Sequence, residues 1–104
     1  MEDVKYFSSR LGEVAVTESH VERKRDSEDW ENIKENFPEE KLVDRASFND
    51  IDQIKLEENS VYPNVKLKID GEWKRLFMHV GDNISNLYKT LNYRWKTYRQ
   101  LYQN

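Results

Sequence analysis

From Val61 to Asn104 the hydrophobic pattern changes period once, dividing the end of the chain into a hairpin and a helix. Val65, Leu67 and Ile69 alternate with Asn64, Lys66 and Lys68, as in a strand with one buried face. Asp70-Gly71 follows, a pair that accepts positive φ, and Trp73 to Val80 returns as the second strand. After Gly81 the period lengthens to about 3.6. Ile84, Leu87, Tyr88, Leu91, Trp95, Tyr98, Leu101 and Tyr102 then share one side of a helix expected near 82–102. So broad an apolar stripe needs a sheet to cover. The hairpin has two registers. A two-residue turn sets Ile69 against Glu72 and Val65 against Leu76. A three-residue loop, Asp70 to Glu72, sets Ile69 against Trp73 and Val65 against Phe77, and is favoured because it keeps more apolar residues together.

Upstream, Val4, Tyr6 and Phe7 form an edge strand or a fraying start, and Gly12 punctuates. Val14 and Val16 alternate with Glu13, Ala15 and Thr17. Thr17-Glu18-Ser19-His20 reads as a turn, and Val21 to Arg25 as the return strand. Ser27 begins a helix with Glu28 and Asp29 at its positive end. Trp30, Ile33 and Phe37 share one face, and Pro38 stops it. Leu42 and Val43 open an extended segment. Ser47 to Ile51 reads as a turn with Asp50 as its local hydrogen-bonding residue, and Gln53 to Glu57 as a strand with Ile54 and Leu56 inward. Glu57-Glu58-Asn59-Ser60 is a solvated loop.

A chain of 104 residues without repeat or linker is expected to be one domain, 1–104. With 36% charged residues it invites the question of disorder, but three Trp, six Tyr and four Phe and a net charge of only -3 point to a folded domain with a charged exterior. That charge argues against a dedicated nucleic-acid binder. The lack of Cys excludes disulfides and thiolate chemistry. No basic and apolar leader opens the chain and no apolar run spans a bilayer, so the expected setting is cytoplasmic.

No catalytic motif is present. His20 and His79 have no metal-ligand spacing. Ser19 and His20 are neighbours, and neighbours in a strand point to opposite faces, so no triad follows. Glu28-Asp29, Glu39-Glu40 and Glu57-Glu58 read as caps and loops, and Gly12, Gly71 and Gly81 are too far apart to cradle phosphate. The expectation is a non-enzymatic protein without cofactor or metal. Two surfaces stand out. Arg23, Lys24, Arg25, Lys66, Lys68 and Lys74 are the candidate anion-binding residues, weighed against a solvated strand face. Arg94, Lys96 and Arg99 are expected on the outer side of the terminal helix. If that helix projects past the sheet, Trp95, Tyr98, Leu101 and Tyr102 mark a protein interface. Tyr93 falls off the core stripe.

The order of elements resembles the pleckstrin-homology-like superfold in its prokaryotic form. The resemblance rests on Val14-Ala15-Val16-Thr17-Glu18-Ser19-His20-Val21 as first hairpin and on Phe48-Asn49-Asp50-Ile51-Asp52-Gln53-Ile54 as an aromatic-x-x-Ile-x-x-Ile passage. Val65 to Phe77 is then the closing hairpin and Asn83 to Leu101 the capping helix. The resemblance implies an α+β fold: a partly open antiparallel barrel of about six to seven strands, a short helix inserted near 28–37 and a long C-terminal helix. It implies binding or assembly, since members bind lipid headgroups, peptides or other protein chains. The aromatic terminal helix makes another protein chain or a second copy the expected partner, and an anionic ligand on the basic strands, a lipid headgroup at a membrane surface or a nucleic acid, is the rival. The phosphoinositide binders of that superfold carry a basic residue in the first strand. Here that strand has Glu13, a departure that argues against inositol-phosphate binding.

Overall fold

The computed structural model describes residues 3–26, 28–59, 61–78 and 82–102. Ser27, Ser60, His79, Val80 and Gly81, expected as cap, loop, strand end and turn, lie outside them. The chain is α+β, with two antiparallel sheets and a C-terminal helix. Strands β1 (Lys5–Ser9), β2 (Gly12–Val16), β3 (His20–Arg23) and β4 (Arg45–Ser47) form one sheet in that order. Strands β5 (Ile51–Glu57), β6 (Asn64–Ile69) and β7 (Glu72–Phe77) form the other. Helix α1 (Trp30–Asn36) lies between β3 and β4, and α2 (Ile84–Tyr102) follows β7. Among the described residues no strand pairing joins the two sheets into a closed barrel.

The first hairpin turns on Thr17. Its hydroxyl accepts from the Ser19 and His20 amides at 3.1 and 2.9 Å and donates to the His20 carbonyl at 3.0 Å. A buried threonine with its hydrogen bonds satisfied locally closes the turn without a glycine. The segment expected to be extended from Leu42 pairs as a strand only over β4, where Ala46 alone is buried. The turn after it is a 3-10 turn over Phe48–Asp50, and the Ser47 hydroxyl, not Asp50, accepts from the Asn49 amide.

Helix α1 begins at Trp30, two residues inside the expected 28–37, and Phe37 leaves it in extended geometry. The proline ring at 38 excludes its predecessor from helical space. Trp30 and Ile33 are buried, with Phe37 packed beside them. They meet Leu11, Leu42, Tyr62 and Phe77, a second small core on the outer side of β7.

In the last hairpin Val65 pairs with Leu76 and Ile69 with Glu72, so the turn has two residues, against the register favoured from the pattern. Asp70 and Gly71 both take positive φ, 53° and 79°, the conformation whose twist matches paired strands. The apolar tally misled because the second face of this sheet also has cover. Phe77 lies under Phe37 and Tyr62, with ring centres at 4.9 and 6.4 Å. Trp73 lies among lysine stems.

The main core is formed by Val14, Val16, Val21, Ala46, Ile54, Val65, Leu67 and Leu76 from the sheets, closed by Ile84, Leu87 and Leu91 of α2. Phe48, fully buried, sits edge-on to Tyr98 at 6.0 Å. Each such side chain contributes about 1.5–3 kcal/mol on burial. Asn83 caps α2 by accepting from the Asn86 amide at 3.2 Å.

Candidate functional site

Helix α2 has nineteen residues, about 28 Å at 1.5 Å per residue, and residues 99–102 of its last turn are all exposed. Two ridges of side chains run along its C-terminal half. Tyr93, Thr97 and Leu101 form one at i, i+4 and i+8, and Arg94, Tyr98 and Tyr102 the other. Between them, with Asp3 and Glu18 as the opposite wall, is an open groove of ≈ 320 Å³. Tyr93, Leu101 and Tyr102 are 72%, 67% and 69% exposed.

The four aromatic and apolar candidates therefore divide three ways. Trp95 is structural, its indole donating to the Ile51 carbonyl at 2.9 Å. Tyr98 is shared, one side packed against Phe48 and the other lining the groove. Leu101 and Tyr102 face the opening. Tyr93 joins them, and its position off the core stripe was the sequence signal for it. The cations expected on the outer side of α2 are also divided. Arg94 donates to the Val16 carbonyl at 2.8 Å and to Asp3, pinning the helix to β2. Arg99 lies over Trp95 at 5.1 Å and donates to the Ile51 carbonyl. Lys96 is left exposed.

The six candidate anion-binding residues lie in separate places. Arg23 is 5% exposed and donates to the Phe77 carbonyl and the Met78 sulfur, with Trp30 at 5.2 Å. Burial lowers its guanidinium to about 10, against opposing attraction from Asp44. Arg25 is engaged by Glu39 at 2.8 and 3.0 Å and by Asp44 at 2.8 Å. The Arg25 fork, with Lys34, holds the Glu39 carboxyl down at about 2. Lys24 is exposed. Lys74 lies beside Asp44, Asp50 and Ile69, on the other face of β7 from Trp73. Lys66 and Lys68 stand together on the outer face of β6, beside Lys55 and Trp73, neither of which is a site candidate from the sequence. The Asp70-Gly71 pair was the available signal, since a two-residue turn sets Trp73 opposite Lys68.

Glu57 ties that outer face together. Burial raises its carboxyl, but hydrogen bonds from Lys66, Arg75 and Asn64 outweigh that effect and lower it to about 2.

Ser19, His20 and Glu22 are closer than expected. His20 Nδ1 lies 3.2 Å from the Ser19 hydroxyl and Nε2 3.0 Å from Glu22. Ser19 belongs to the turn rather than a strand, so alternation does not separate them. Thr17 Oγ1 meets the same ring nitrogen at 3.0 Å, and Arg45 draws on Glu22. The line thus completes the turn's own hydrogen bonds. Among the described residues no group of three or more His, Cys, Asp or Glu could hold a metal ion, and no helix is long and apolar enough to cross a membrane.

The elements define an α+β chain of two antiparallel sheets with a C-terminal helix. No protein-family model, curated protein or solved structure matches it at a significant level.

Proposed function

We propose that this chain is a non-enzymatic assembly module of pleckstrin-homology-like fold, engaging a second copy of itself through the groove of α2. The order of a four-stranded sheet, a three-stranded sheet and a closing helix supports the fold reading. The observation that carries the function is the exposure of Tyr93, Leu101 and Tyr102 on the C-terminal half of α2. Aromatic and apolar side chains gathered on a rigid helix are what interfaces concentrate energy in. A second copy is the proposed occupant because a two-fold contact lets the same exposed residues, Tyr93, Leu101 and Tyr102, serve both sides of one interface.

The test is molar mass by light scattering over a concentration series at low and high salt. The wild type is expected to form a dimer that persists in high salt. Leu101→Asp and Tyr93→Ser, both at exposed positions outside the core, should leave folded monomers. A wild type that stays monomeric throughout, with the variants indistinguishable from it, refutes self-association.

A further inference from the structure

The outer face of the β5–β6–β7 sheet departs from a rule of antiparallel sheets. Lys55 stands directly opposite Lys66, and Lys66 directly opposite Arg75, so one row across three strands is wholly cationic. Like charges so opposed destabilise a sheet. One carboxylate, Glu57, answers the row, through Lys66 at 2.9 Å and Arg75. In the next row Lys68 lies opposite Trp73. The ammonium groups of Lys55, Lys66 and Lys68 stand 5.4, 4.9 and 5.7 Å from the centre of the Trp73 ring. Among the described residues Lys55 and Lys68 make no ion pair. The chain as a whole carries -3, so this positive excess is local rather than a product of a basic composition. Sequences tend to break a local rule of this kind where a site requires it.

We infer that Lys55, Lys66, Lys68 and Trp73 form a binding site for a compact phosphate-bearing anion, a phosphomonoester or an oligophosphate. The three ammonium groups are its ligands and the indole its floor. A phosphate group presents about two negative charges and three acceptor oxygens, which Lys55 and Lys68 can meet directly, with Lys66 shared between the anion and Glu57. A compact anion fits better than an extended one because no basic track leads away. Arg75, next in the row, is held by Glu57 and Asn64, Lys74 lies on the opposite face of β7, Arg23 is buried, and Arg25 is engaged by Glu39 and Asp44. The site lies on the sheet and not on α2, so it stands or falls separately from the assembly reading.

The test is a titration of ¹⁵N-labelled full chain with sodium tripolyphosphate, and in parallel with phosphatidylcholine vesicles containing phosphatidic acid. Saturable shifts are expected on β5, β6, β7 and the Trp73 indole, weakening as salt shortens the range of the charges. Lys55→Gln/Lys68→Gln should raise the half-saturating concentration about tenfold or more. Its thermal midpoint without ligand should be no lower than that of the wild type, because the substitution relieves opposed like charges. Binding of tripolyphosphate supports a soluble source, and binding of the vesicles alone a lipid source. No shift in either titration, or equal half-saturation by the double variant, overturns the site.

Discussion

Gly12 and Gly71 are both held at positive φ, 111° and 79°, yet alanine at the two positions should have very different consequences. At Gly71 a Cβ meets nothing within 4 Å. Only the backbone penalty applies, about 1 kcal/mol. At Gly12 a Cβ falls 1.8 Å from the Lys24 carbonyl oxygen and 2.8 Å from its carbon. Neither atom belongs to a side chain that can swing away. Relief requires β2 to part from the segment after β3, which breaks the Lys24 amide bond to the Glu13 carbonyl at 2.8 Å and strains the Asp26 amide bond to the Leu11 carbonyl. Conformational strain of about 1–3 kcal/mol and about 1 kcal/mol for each lost hydrogen bond give a loss of about 4 kcal/mol. That is a large part of the stability of a domain this size. Equilibrium urea unfolding followed by tryptophan fluorescence is the assay, since the Trp30 indole is bonded to the Leu11 carbonyl beside the lesion at 2.8 Å. Gly71→Ala should lower the midpoint slightly and Gly12→Ala should leave the chain largely unfolded or close to it. Equal losses, or a Gly12→Ala midpoint at the wild-type value, refute the close approach of β2 to residues 24–26.

Two further outcomes follow from the hydrogen bonding. The Glu57 carboxyl lies near 2 in the folded chain against an ordinary 4.5, so its contribution is present above about 4.5 and is lost as pH falls toward 2. With the side chain 32% exposed, that contribution is about 1 kcal/mol, and Glu57→Gln should flatten the acid limb of a stability–pH profile; an unchanged limb shows that Glu57 is not its source. Trp95→Phe removes the indole donor to the Ile51 carbonyl, which Arg99 still serves at 3.3 Å. It should cost about 1 kcal/mol in urea unfolding without changing the molar mass in solution, and dissociation would place Trp95 in the interface.

The sequence by itself determined the local elements. The change of period near residue 81, the Pro38 stop, the polar turn at 17–20 and the Asp70-Gly71 pair each act within a few residues, and each element they predict is present. Tertiary structure decided which face of each element is covered. The outward side of β7 gained a cover from α1 and Tyr62, which a count of apolar residues along one strand cannot register, and the hairpin register followed the turn instead. Arg23 and Lys24 are neighbours of the same charge, yet one is buried against Phe77, Met78 and Trp30 and the other exposed, because Arg23 falls on the face of β3 that Val21 presents to the main core and Lys24, just past the strand, does not. The apolar stripe of α2 is continuous through Tyr102, but full burial along it ends at Leu91 and its last turn, 99–102, is exposed. Length of helix is a local property and length of its support is not, and the difference leaves Leu101 and Tyr102 in the open.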